Sequence, residues 1–216
     1  MRLLPILLKL NMVNGVLFTG GWAKTGLCHE TVKAIFKKVL AKNDAADHFP
    51  SYAICLCFEL LTMIITSTLQ FMRNTNVEGT VFQRFQPDLL KKLSTDCLVM
   101  QNHHNTDLTN FFKVLTTSTD GDNKVYVSTD EAHSYPVTAF QWHPEKNAFE
   151  WGLSMIPLSD DAIQVTQLVA NFFVSEARKS INLASACKVP DNLIYNYSPT
   201  YGGKGGKGYD EVCIFT

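Results

Sequence analysis

Apolar residues along this chain fall into short runs and helix-spaced stripes that take turns. Val16-Leu17-Phe18 is a brief apolar run that stops at Thr19-Gly20-Gly21, a turn signal, and predicts a strand. From Glu30 onward, Val32, Ile35, Phe36, Val39 and Leu40 recur at i, i+3, i+4, i+7 and i+8, the apolar face of a helix. Lys33, Lys37, Lys38 and Lys42 occupy its solvated side and crowd toward the C-terminal end, where cations suit the helix dipole. Beyond the polar stretch Asn43-Asp44-Ala45-Ala46-Asp47, residues 49–54 read as a second strand. Phe58, Leu61, Thr62 and Ile65 are then spaced for the buried face of another helix. Residues 80–85 and 124–128 alternate like strands, and residues 136–141 form a further strand candidate that ends at Trp142-His143-Pro144-Glu145. Asp160 and Asp161 open a long helix whose apolar face is Val165, Leu168, Val169, Phe172 and Phe173. Strands alternating with helices predict an α/β three-layer sandwich with a mostly parallel central sheet. In such sheets active sites collect beyond the carboxyl ends of the strands, which sets the test for every candidate below.

The two ends of the chain depart from this rhythm. Met1-Arg2-Leu3-Leu4-Pro5-Ile6-Leu7-Leu8 has the opening of a signal peptide, but Pro5 and Lys9 cut the apolar run and no small-residue cleavage site follows. The segment is therefore expected to be a core strand. The longest apolar stretch, from about Leu56 to Ile65, carries Glu59 and is too short to span a bilayer. Residues 1–189 read as a single domain. Residues 190–216 are rich in Gly, Tyr and Lys, and are expected to form an extended or mobile extension. Their glycines do not match a phosphate loop, because no G-x-x-x-x-G-K-[ST] and no helix pattern is present.

Composition narrows the function classes. Of the 216 residues, 46% are hydrophobic and 18% charged, enough for one continuous core. A formal net charge of −1 supplies no field that would draw the chain to nucleic acid or to an anionic membrane surface, and neither is expected as a partner. The six cysteines lie at 28, 55, 57, 97, 187 and 213. Cys55-x-Cys57 is too tight for a C-x-x-C zinc or redox site, and the histidines do not cluster with the cysteines, so no metal site is expected.

Chemistry concentrates at strand ends. Cys55 lies where the second strand meets the following helix; a nucleophile on such a turn stands exposed above the sheet, and a helix N-terminus favours its thiolate. The backbone N–H of Leu56 would face a developing oxyanion. His143 also follows a strand, and Pro144 forces extended backbone there. Glu145, two residues on, can accept from the imidazole and stabilise the imidazolium. Gly20 and Gly21, at the end of the first strand, allow backbone N–H groups to approach a substrate carbonyl oxygen.

Three blocks carry a resemblance. They are Val13-Asn14-Gly15-Val16-Leu17-Phe18-Thr19-Gly20-Gly21, Tyr52-Ala53-Ile54-Cys55-Leu56-Cys57-Phe58-Glu59, and residues 135–146 ending Gln141-Trp142-His143-Pro144-Glu145-Lys146. In this order, followed by Glu150-Trp151-Gly152, they resemble the gamma-glutamyl hydrolases, above all the plant forms, which belong with the class I glutamine amidotransferase-like folds. The resemblance implies Cys55 as nucleophile and His143 as the proton-transfer residue. It suggests supporting roles for Glu59, Gln141 and one residue of His103-His104, here His104. It implies hydrolysis of γ-linked glutamate in folylpolyglutamates through a thioester, with no cofactor. Such a substrate carries many carboxylates, for which Arg84 and Lys146 are candidate cations. The family is vacuolar or secreted, and a homodimer is left open.

Against the family pattern, the elbow G-x-C-x-G reads Ala53-x-Cys55-x-Cys57, so a Cβ and a second thiol stand where the backbones pack most closely. Family members carry an initial strand–helix unit before the segment resembling residues 2–21, and the sheet is expected to lack it. Residues 66–69 and the stretch just after His104 are shorter than in the family. Two other readings therefore stand beside hydrolysis: a catalytically inactive relative that binds polyglutamylated folate or a partner, and a glutaminase-type amidotransferase domain.

Overall fold

The computed structural model describes residues 3–68, 85–89, 92, 111–150, 152–202 and 211–214. Within them a five-stranded sheet is ordered β1-β2-β5-β4-β3, where β1 is Val16–Phe18, β2 Ser51–Ile54, β3 Phe112–Thr119, β4 Val125–Ala132 and β5 Val137–Phe140. The strands β1, β2 and β5 run parallel, and β4 and β3 continue the sheet antiparallel. The sheet is thus mixed, its parallel part being the three strands whose ends carry the candidate chemistry. Helices α2 (Leu27–Asp44) and α3 (Leu56–Thr68) cover one face, and α5 (Asp160–Ala177) covers the other.

The two central strands explain why their sequences do not alternate. Every residue of β2 and of β5 is buried. Ala53, Val137 and Ala139 pack toward Phe36 of α2 and Leu60, Leu61 and Ile64 of α3. Tyr52, Ile54 and Phe140 pack toward Val165, Val169 and Phe172 of α5. A strand covered on both faces has no polar side to show. At the start of α5, Ser159 caps the helix by accepting from the Ala162 N–H, and Asp160 and Asp161 occupy its first turn, as the sequence predicts.

Several expectations are corrected or relocated. The N-terminal segment is not a core strand: Leu3–Lys9 is a helix, α1. Pro5 falls in its first turn, where a missing N–H costs nothing, and Leu7 and Leu10 share the helical i, i+3 spacing that packs against Val39 and Phe49. The strand expected over residues 124–128 runs on to Ala132 and carries Asp130 and Glu131 into buried positions, where burial raises both carboxyls to about 7. The β3 strand adds an element beyond those the sequence predicts, and the strand expected over residues 80–85 lies outside the described residues apart from Phe85. In the segment from Pro190, two 3-10 turns (Pro190–Asn192 and Ile194–Asn196) are followed by a ladder of β6 (Thr200–Tyr201) with β7 (Glu211–Val212).

One side chain ties α2 to β2. Asn43 donates through Nδ2 to the carbonyls of Val39 (2.9 Å) and Phe49 (2.8 Å), and its Oδ1 accepts from the Phe49 N–H at 3.0 Å. These bonds close the end of the helix and aim the chain into the strand. Asn43→Ala removes three partly buried hydrogen bonds at about 1 kcal/mol each, so chemical denaturation should show a loss of about 2–3 kcal/mol. A loss within error of zero would mean that other contacts set this entry.

Candidate active site

The junction of β2 and α3 places Cys55. It has a φ of 53°, a left-handed conformation that an L-residue adopts at a cost of order 1 kcal/mol. Two bonds hold it there: the Cys55 N–H donates to the Phe140 carbonyl of β5 at 2.7 Å, and the Cys55 carbonyl accepts from the Glu59 N–H at 3.2 Å. Parallel pairing and helix initiation therefore meet at this residue. Leu56 is the first residue of α3, so its N–H has no acceptor within the helix and is available to an anion.

His143 reaches the same place from the end of β5. Its side chain is partly buried, 12% exposed, and lies within hydrogen-bond reach of Cys55. Its Nδ1 stands 2.7 Å from Glu145 Oε1, which leaves Nε2 as the ring nitrogen facing the thiol. The loop that carries it is anchored beneath. Trp142 Nε1 donates to Thr129 Oγ1 at 2.8 Å, Thr166 Oγ1 of α5 donates to the Pro144 carbonyl at 2.5 Å, and the buried Asn147 donates to the Ala162 carbonyl at 3.2 Å. Sequence reading did not single out Thr166 or Asn147, and no motif marks them; a polar residue at a core position of α5 was the one available sign.

Charge at this pair is set by competition. Burial alone would push the His143 imidazole down, but the hydrogen bonds to Cys55 and Glu145, with the negative charge of both, outweigh it. The imidazole is held up at about 9, so His143 is cationic at neutral pH and can donate a proton. Cys57, two residues from Cys55, has the opposite setting. It is buried in the α2–α3 core, and burial, with Cys28 and Cys55 adding, pushes its thiol up to about 12. Both are free thiols, so the C-x-C pair is not a disulfide, and the side chain at the elbow's last position is taken into the core.

The first glycine loop completes the cleft. A Cβ placed on Gly20 would lie 3.2 Å from His143 Cε1 and 3.4 Å from Cys55 Cβ, so this backbone sits against both side chains. One placed on Gly21 would meet Leu56 Cδ2 at an ordinary 3.5 Å. Further along that loop, Lys24 forms an ion pair with Glu59. Gln141 is buried, and its N–H donates to the Ser128 carbonyl at 2.9 Å. The structure thus brings together Cys55, His143, Glu145, Gly20, Gly21, Leu56 and Glu59, with Gln141 in the strand end beneath. His104, with His103, Arg84 and Trp151, lies outside the described residues. Lys146 is committed to an ion pair with Glu150 at 3.3 Å, the i, i+4 partner at the other end of α4 (Lys146–Phe149). Among the described residues no group of His, Cys, Asp and Glu could hold a metal ion.

Comparison with known proteins agrees with this geometry. The glutamine amidotransferase class-I family matches residues 5–160. Gamma-glutamyl hydrolase 2 of Arabidopsis thaliana is 61% identical over 96% of this chain and 67% of its own length. The gamma-glutamyl hydrolase of Glycine max is 50% identical over 96% of the chain and 68% of its length. That of Homo sapiens is 34% identical over 88% of the chain and 68% of its length. The chain therefore spans about two thirds of the relatives it matches. On both the family match and these identities, the chain belongs to the gamma-glutamyl hydrolases, within the class I glutamine amidotransferase family.

Proposed function

We propose that this chain hydrolyses γ-glutamyl bonds, with folylpoly-γ-glutamates as the substrate class, through an acyl-enzyme on Cys55. The observation that carries the reading is the Cys55–His143–Glu145 arrangement at the carboxyl ends of β2 and β5. The relatives matched over nearly the whole chain are named as hydrolases, which favours hydrolysis over amide transfer or a binding-only role.

The steps follow from the positions. The Cys55 thiolate attacks the γ-carbonyl carbon, and the oxygen takes the electron pair while facing the Leu56 N–H and the Gly20 backbone. As the tetrahedral adduct collapses, the C–N bond breaks and His143 passes its Nε2 proton to the leaving amine. The neutral imidazole then takes a proton from water, whose oxygen attacks the thioester carbonyl. Cleavage of the C–S bond releases the glutamyl carboxylate and restores the thiolate beside the imidazolium. Glu145 keeps the ring oriented and its cation favourable throughout.

The direct test is chain shortening of a pteroyl-polyglutamate by wild type and by Cys55→Ala. Wild type should shorten the chain and Cys55→Ala should not; indistinguishable rates would sink the proposal. The glycines should separate by the space behind them. Gly20→Ala sets a methyl 3.2 Å from His143 Cε1 and 3.4 Å from Cys55 Cβ, so these groups must give by a few tenths of an ångström and kcat should fall, while Gly21→Ala should leave it near wild type.

The elevated imidazole predicts a pH limb. kcat/KM should fall as pH rises through about 9, where His143 loses its proton, and the His143 ring resonance should titrate with the same midpoint by NMR. Glu145→Gln should move both midpoints down toward the ordinary 6.5. Because the folded value lies above the unfolded one, the same group stabilises the fold fully below about pH 6.5. That contribution is lost as pH rises through about 9. A midpoint unmoved by Glu145→Gln would remove Glu145 from this role.

A further inference from the structure

The ion pair between Lys24 and Glu59 is not used by the chemistry above, yet it sits at the edge of that site. Lys24 belongs to the loop that leaves β1 through Gly20 and Gly21, and its ammonium is held by Glu59 Oε2. The partners differ in exposure. The Glu59 side chain is 12% exposed, whereas Lys24 is 56% exposed, so a charge fixed from below still presents its face to solvent. An ammonium has three donors, and one carboxylate does not use them all.

Two geometric facts aim this cation at a substrate. First, Glu59 stands four residues after Cys55 and bonds to its carbonyl, so it lies one helical turn, about 5.4 Å, along α3 from the nucleophile. In a γ-glutamyl group the scissile carbonyl carbon and the α-carboxylate carbon are separated by four bonds of about 1.5 Å, an extended reach of about 5 Å. Second, the sheet order β1-β2-β5 sets β1, which feeds the Lys24 loop, and β5, which feeds the His143 loop, on opposite sides of the β2 strand that ends at Cys55, with Gly20 at the start of the first loop reaching across to His143. The leaving amine must lie toward His143, so the acyl-side glutamate extends toward β1 and Lys24.

We propose that Lys24, positioned by Glu59, binds the α-carboxylate of the acyl-side γ-glutamyl residue and is a specificity-determining residue of this site. The assignment rests on the hydrolase reading for the identity of the substrate. It also accounts for an acidic residue next to a polyanion's path. Alone, Glu59 would repel the substrate; paired, it orders a cation that attracts it.

The test compares pteroyl-γ-glutamyl-glutamate with its analogue in which the acyl-side α-carboxylate is a carboxamide. Wild type should prefer the carboxylate by about tenfold in kcat/KM, as a charge-assisted hydrogen bond would give. Lys24→Met should abolish that preference by raising KM for the carboxylate, with kcat within about twofold, and Lys24→Arg should retain most of it. A structural role alone would lower stability or kcat without touching the preference. The same pair of ligands is then titrated against Cys55→Ala and Cys55→Ala/Lys24→Met by quenching of pterin fluorescence. Absence of turnover in wild type would overturn the hydrolase reading, while the binding preference still decides the role of Lys24. Equal preference in Lys24→Met and wild type, in turnover or in binding, overturns the proposal.

Discussion

The hydrogen bond from the Cys55 N–H to the Phe140 carbonyl, at 2.7 Å, joins the last residue of one central strand to the turn that follows another. It continues the parallel register Ser51↔Val137 through Ile54↔Phe140 by one further step, into the elbow itself. That step holds Cys55 in its left-handed conformation and fixes the height at which β5 ends beside it. His143 then emerges within reach of the thiol because β5 is in register with β2. A slip of this pair by one residue would exchange the faces of Tyr52, Ala53, Val137 and Phe140 and carry the imidazole away from the sulfur.

Around that register the molecule sorts its ionisable groups by their surroundings. Two thiols two residues apart receive different treatment: Cys55 faces the imidazolium, and Cys57 turns into an apolar layer that raises its thiol to about 12. The elbow therefore separates the two sulfurs by position, although it lacks the flanking glycines of the family pattern. Ala53 of β2, buried against α2 and α3, fills the first of those positions with a single methyl. Close packing at the second is met by a small side chain that the core absorbs. The His143–Glu145 pair depends equally on what lies under it, since Thr166 and Asn147 fix the loop from which both project.

Legibility in the sequence followed the range of the interactions concerned. The α2 and α5 stripes were read from spacing because helical contacts repeat every three or four residues. His143 and Glu145 are legible as a pair because both lie within one short turn, closed by the Lys146 N–H donating to the His143 carbonyl at 3.4 Å. The N-terminal helix is not legible locally, because a short apolar run with a proline suits a strand equally well until Leu7 and Leu10 meet Val39 and Phe49. The far half of β4 was missed because Asp130 and Glu131 break the apolar alternation; they are buried only because β3 and β5 flank them.

By itself the sequence determined the alternation of strand and helix, the small residues at Gly20, Gly21 and Ala53, and the placing of Cys55, His143 and Glu145 at strand ends as the candidate trio. Those features are local, written in spacing and in residue chemistry. Only the tertiary structure decided that the sheet is mixed, that Cys57 is buried in the core, that Gly20 lies against both Cys55 and His143, and that Lys24 is clamped on Glu59. Each of these joins segments far apart in the chain. Their geometry is fixed by strand register and by packing against α2, α3 and α5, which no local pattern records.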